Sequence, residues 1–324
     1  MDVENLIYPP NKPLERILLH SEEPILYDYL SVIDINDKGE IILGSSNVSA
    51  GYWESSLFFY KDGTAALTND YFHYFTGATS ISDAIFIPNT TKILLAEDTF
   101  SLKLLDIDNS LCLKCEDFFY TNALVQQLSS WHTNEKIVSC ADTQISIWNF
   151  GSTNTSQPIT EFKNVHTDIV RSVSVNKNEN NLFATASMDR KSCIWDDRMK
   201  SPATVLYQND FCGLTSVAWN PKHSQYVVIG SKGGEIYNVD IRQLKEFLAN
   251  YHCFDSSIHR MKFNDSGNLA VCGGTTDVIT FSCEDNFQVI RNMNTHLSYV
   301  RGLAWFHDTL YSCGFDKQII KHEL

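Results

Sequence analysis

Three residues between His166 and Asp189 have the types that acyl-transfer chemistry needs. His166 could act as base, Ser187 as nucleophile and Asp189 as the orienting carboxylate. A hydrolase of this kind lifts its serine into a cleft on a Gly-x-Ser-x-Gly turn. The chain has no such turn, and Ser187 closes the apolar stretch "LFATAS", which reads as a buried strand. Cys112 and Cys115 form a Cys-x-x-Cys pair, half of a zinc or redox site. No second ligand pair follows at finger-like spacing. There is no HExxH, no phosphate-cradling Gly-rich loop and no GxGxxG, and the ten histidines are scattered without metal spacing. The residue types point to no enzyme, no metal and no cofactor.

The elements around these residues repeat. From His166 to Arg198, the short alternating runs "IVRSVSV", "LFATAS" and "KSCIWD" are separated by polar turns. Strict alternation over six or seven residues predicts half-buried strands. Six further segments follow the same plan, and the seven close at Tyr60, Leu105, Trp148, Trp195, Val239, Ser282 and His322. The spacings are 45, 43, 47, 44, 43 and 40 residues. A leading His166, Asp189 in the second turn and a closing Trp195-Asp196 resemble a WD repeat, whose period is about 40–45 residues. The resemblance implies an all-β, seven-bladed WD-repeat β-propeller, one domain over residues 1–324. A closed ring of blades protects sheet edges that would otherwise template aggregation. The last unit ends at its third strand, so "PLERILLH", Pro13 to His20, is expected to supply the outer strand and latch the ring. The resemblance also implies that His166, Ser187 (or Thr185), Asp189 and Trp195 form a structural relay. On sequence, blade 4 alone carries the full set.

Composition narrows the partners. The net charge of −14 lacks the basic footprint of a nucleic-acid binder and favours encounter with basic partners such as arginine-rich tails. No apolar run reaches the ~18 residues of a membrane span. The start "MDVENLIYPPNKP" has neither a basic nor an apolar signal region. Nine cysteines without an export signal are expected to be reduced thiols in the cytoplasm or nucleus. The final Lys-His-Glu-Leu resembles an ER-retention tetrapeptide, but is expected to end a blade strand.

Two features stand out from the repeat. "WDDR" and "VDIR" end consecutive units at Arg198 and Arg242. Consecutive Asp-x-Arg endings resemble substrate receptors of cullin-type ubiquitin ligases, where such arginines meet the adaptor. The plainer expectation is that each arginine pairs with a local carboxylate; Val239 also stands where that motif wants Trp. The second feature is "LGSSNVSAGYWESSLFFYKD", Leu43 to Asp62. Ile42 and Tyr60 are 18 residues apart, whereas Phe183 and Trp195 are 12 apart. Unit 1 therefore carries about six extra residues, expected as a loop bearing Tyr52, Trp53 and Glu54. Trp and Tyr are common interface anchors, because they combine contact area with few rotors.

That stretch, with "YPPNKPLER" before it and "GFDKQIIKH" at the end, resembles the WD-repeat subunits of methylosomes. In that family the propeller partners a type II protein arginine methyltransferase. The resemblance implies that Trp53 enters a pocket of the enzyme's N-terminal barrel domain. It also implies that the propeller helps present histone tails and spliceosomal Sm proteins, both basic. The segment "ILLHSEEPILY" is extra relative to that family and blurs the register of the latch.

Overall fold

The structure is a computed structural model that describes residues 7–8, 12–13, 24–49, 52–107, 112–131, 136–150, 157–163, 166–199, 204–244, 246–283 and 286–323. Among the described residues seven antiparallel sheets of three or four strands follow one another along the chain. The fourth shows the plan. Its strands Val170–Val175, Leu182–Ser187, Lys191–Asp196 and Val205–Gln208 pair in sequence order, from the innermost to the outermost. Apolar side chains from adjacent blades interdigitate at all seven junctions. Between blades 3 and 4, Trp131, Val138 and Ile147 meet Phe183 and Trp195. Between blades 7 and 1, Ala304, Tyr311 and Cys313 meet Leu30, Ile33 and Phe58. The chain thus forms a closed seven-bladed β-propeller, with its core lying between the blades.

An innermost strand has no sheet neighbour on its channel side, so its free amides need other acceptors. Side chains of the preceding blade supply them at a separation of one repeat. Asp83 accepts from the Leu128 amide (2.8 Å), Gln127 from Val173 (3.3 Å) and Ser172 from Val217 (2.9 Å). Every innermost strand also carries a bulge near its start, at Ser31, Ser82, Gln126, Arg171, Thr215, His259 and Arg301.

Among the described residues blade 7 has three strands, ending at Ile319–His322. Of the segment expected as the latch, Pro13 pairs with Ile7 in a two-residue ladder, and residues 14–20 lie outside the described residues. Packing joins blades 7 and 1. Helix α1 (Gly63–Thr68), which leaves blade 1 after an Asp62 cap, places Ala66 in the core shared with Tyr311 and Ile319 of blade 7. At the same junction a Cβ on Gly302 would sit 3.0 Å from Ile33, so only glycine fits that close approach without a shift.

Blade 1 departs from the sequence reading. Its extra residues lengthen a hairpin. The second and third strands, Ile41–Ser49 and Tyr52–Tyr60, are nine residues each, against six in blade 4. The expected loop is therefore corrected to strand: Tyr52 pairs with Ser49, Trp53 with Val48 and Glu54 with Asn47. Tyr, Trp and Val favour extended backbone, which outweighs the loop-like Ser and Asn around them. Pairing to the innermost strand stops at Ser46, and pairing to the outermost strand stops at Ser55. Beyond those points the hairpin continues as a two-stranded arm.

Candidate protein-interaction site

In this topology the turns between second and third strands share a face with the loops leading into each blade. The blade-1 arm projects from that face, and the relay residues His166 and Asp189 lie on it. Turns after the third strands, bearing Arg198 and Arg242, lie on the opposite face.

At the base of the arm, Tyr27 Oη donates to Glu54 Oε2 at 3.1 Å, and the Tyr27 amide donates to Ser45 Oγ at 3.3 Å. Burial, reinforced by the Glu54 charge, pushes the Tyr27 phenol up to about 12. Glu54, on the arm beside Trp53, is thus engaged by its own chain. Small residues at the arm's root let blade 2 approach. Ser46 Oγ accepts from the Ile81 amide (3.1 Å), and a Cβ on Gly44 would sit 3.2 Å from Ile81. An isolated two-stranded hairpin is marginal in water, with both edges open. An arm with this root is held in place by its blade and gains stability when a partner covers it.

The relay in blade 4 is a directional chain. Trp195 Nε1 can only donate, and it meets Thr185 Oγ1 at 2.9 Å. The same hydroxyl lies 2.9 Å from His166 Nε2, and His166 Nδ1 lies 2.8 Å from Asp189 Oδ2. An ionised carboxylate only accepts, so Nδ1 carries a proton and, in the neutral ring, Nε2 takes the threonine hydrogen. Thr185, not Ser187, is the relay hydroxyl. Ser187 ends its strand beneath the loop leading into the blade, donating to Asp168 O (2.9 Å) and accepting from the Asp189 amide (3.1 Å). Ser187 makes no hydrogen bond to His166, and the hydroxyl that does, Thr185, is fully buried and also holds Trp195, which keeps it from any substrate.

Blade 7 repeats the device, correcting the expectation that blade 4 alone has it. His296 Nδ1 meets Asp316 (2.9 Å), and His296 Nε2 meets Ser312 Oγ (2.6 Å). The closing member is His322, whose Nε2 lies 2.7 Å from Ser312 Oγ. Ser312 has one hydrogen, which goes to a neutral His296, so His322 Nε2 must donate, as an indole would. Burial, followed by the charges of His296 and Arg291, pushes the His322 ring down to about 4. The unfolded ring protonates near 6.5, so its contribution to stability is present above that pH and is lost as pH falls toward 4.

At Asp189, burial raises the carboxyl, but bonds from His166 and the Thr167 and Lys191 amides hold it below the usual carboxylate range. That contribution is present above the unfolded carboxylate pKa and is lost on acidification. Asp189→Ala leaves a buried imidazole without its partner and is expected to cost about 1–3 kcal/mol, read by urea denaturation. An unchanged midpoint would remove the structural role.

Arg198 and Arg242 each grip their own blade. Arg198 Nε and Nη2 reach Asp196 at 2.9 and 2.5 Å, and Arg242 repeats this on Asp240 at 2.9 and 2.6 Å. The hydrogen bond from Arg198 holds Asp196 below the ordinary carboxylate range, and Arg242 does the same for Asp240. Both arginine side chains remain 68% exposed.

None of the nine cysteines forms a disulfide, and Cys112 and Cys115 are exposed at the outer strand of blade 2. Among the described residues no group of three His, Cys, Asp or Glu could hold a metal ion. No described helix is long and apolar enough to cross a membrane.

The fold is a seven-bladed β-propeller, and the turn chemistry of blade 4 is that of a WD repeat. The family described as "WD domain, G-beta repeat" matches residues 156–196, the region that carries the blade-4 relay. Among relatives, Protein sof1 of Schizosaccharomyces pombe is 32% identical over 123 residues, 38% of this chain and 27% of its own. The E3 ubiquitin-protein ligase COP1 of Arabidopsis thaliana is 23% identical over 163 residues, 49% of this chain and 23% of its own. The histone acetyltransferase type B subunit 2 of Candida albicans is 31% identical over 120 residues, 36% of this chain and 30% of its own. Each match spans less than a third of the relative. A chain from the solved "COPII on membranes, outer coat vertex" superposes with a TM-score of 0.78 at 16% identity, over 91% of this chain and 83% of that one. That likeness shows the fold alone.

Proposed function

We propose that this chain is a non-catalytic adaptor that docks a type II protein arginine methyltransferase through the blade-1 arm. It then helps recruit basic substrates such as histone and Sm tails, in the cytoplasm and the nucleus. The carrying observation is the arm itself: a hairpin that outruns its blade on both sides and bears Tyr52, Trp53 and Glu54. The net charge of −14 suits basic tails, and one relative is a histone acetyltransferase subunit by name. The hydroxyls paired with histidine in the two relays, Thr185 and Ser312, are fully buried, which suits a subunit that lends its partner a surface. Affinity purification of the tagged full chain, read by mass spectrometry, tests this. A protein arginine methyltransferase is expected to dominate the eluate, and its absence would refute the proposal.

A second reading, a cullin-ligase substrate receptor, is favoured by the identical poses of Arg198 and Arg242 on adjacent blades and by the ligase COP1 among the relatives. Arg198→Ala combined with Arg242→Ala separates the two. Because these turns lie on the face opposite the arm, methyltransferase affinity is expected to stay within about twofold. Loss of that affinity, with binding to a cullin adaptor in the parent chain, would reverse the order.

A further inference from the structure

The bulge shared by the innermost strands forms a ring of equivalent residues at the channel mouth, on the face that carries the arm. Blades 4, 6 and 7 place Arg171, His259 and Arg301 there. The other four blades place neutral hydroxyls or amides, and no carboxylate stands in the ring. In a chain with a net charge of −14, this is a local excess of positive charge.

The two carboxylates on the innermost strands are already engaged. Asp83 holds Arg260 at 3.0 Å and caps the Leu128 amide, while Asp34 caps the Phe86 amide and faces Lys262 at 3.8 Å. Arg171 Nη1 donates to the neutral Gln126 Oε1 at 2.7 Å. Arg301 is the most exposed to this imbalance in energy. Its Nε is buried without a hydrogen-bond partner, and the face of Phe315 lies 5.9 Å from the guanidinium carbon. Among the described residues it makes no ion pair. Burial, and then the like charges of Arg260 and Arg171, push the Arg301 guanidinium down from its ordinary value. Burial and the Arg301 charge hold the His259 ring down to about 4. His259 spends its Nδ1 proton on the Val300 carbonyl at 3.3 Å. A buried donor left unmade and a charge left unpaired are both costly, and an anion would satisfy both.

We propose that the channel mouth is a binding site for a small phosphate-class anion, clamped between Arg171 and Arg301 beside His259. Guanidinium groups suit this ligand because their planar donors match phosphate oxygens in pairs. The site's occupancy is independent of which protein covers the blade-1 arm.

The test uses the full chain in chloride buffer, with pyrophosphate as probe at matched ionic strength. Isothermal titration is expected to show one site, and the melting temperature is expected to rise with pyrophosphate concentration. Arg171→Gln and Arg301→Gln are each expected to weaken binding at least tenfold and to remove the thermal shift. Arg171 is exposed, so its variant keeps the test open if Arg301→Gln folds poorly. Arg198→Gln, on the opposite face, is expected to bind as the parent does. No heat and no thermal shift at millimolar pyrophosphate would overturn the proposal. Binding unchanged in both channel variants would overturn it too, because the anion would then sit elsewhere.

Discussion

Asp83→Ala is expected to destabilise the propeller by about 3–5 kcal/mol, the cost of stranding a buried guanidinium. Asp83 is 2% exposed and Arg260 is 13% exposed at the side chain. The carboxylate takes Arg260 Nη2 at 3.0 Å and Nη1 at 3.4 Å, and it accepts the Leu128 amide at 2.8 Å. One side chain therefore joins blade 2 to its neighbour, blade 3, and to blade 6 on the other side of the ring. Its loss leaves a charge and a backbone donor unpaired together. Pairing Asp83→Asn with Arg260→Met is expected to recover much of the loss, because removing both charges avoids the stranded one. Urea denaturation of the single and double variants checks this. A single variant within about 1 kcal/mol of the parent would show that solvent in the channel already screens the pair.

The repeat was legible because the closing residues Tyr60, Leu105, Trp148, Trp195, Val239, Ser282 and His322 recur at nearly constant spacing, and alternation marks the strands between them. Each closing residue stands in the third strand of its blade. The arm was misread because its residues serve packing rather than turning. Ser45 and Ser46 are buried and bond to Ser56 O and the Ile81 amide, and Gly44 makes room for Ile81. Composition cannot separate a serine chosen for a close blade contact from one chosen for a loop. Thr185 and Ser187 share a strand face, and only depth beneath the loop decides which one His166 reaches. The second relay was hidden because His322 replaces the indole. The turn still left a trace: Asp189 and Asp316 are each followed by a basic residue at positive φ, Arg190 at 71° and Lys317 at 62°. The Asp83–Arg260 pair joins positions 177 residues apart, beyond the reach of any local pattern.

Trp53→Ala carries the largest expected effect on function. Its backbone pairs only with Val48, in the part of the hairpin that neither the innermost nor the outermost strand of blade 1 reaches. The blade's own four-stranded ladder is complete without that residue. The fold is therefore expected to survive, with a melting temperature within a degree or two of the parent. An indole is a frequent hot spot at interfaces, and truncating one costs at least about 2 kcal/mol. That corresponds to about thirtyfold in affinity.

The most direct measurement is the dissociation constant of the purified propeller for a type II protein arginine methyltransferase, taken side by side with the Trp53→Ala variant. The account predicts a stable complex for the parent, about thirtyfold weaker binding for the variant, and superimposable circular dichroism for the two. A parent that does not bind the enzyme, or a folded variant that binds it equally well, would contradict the account.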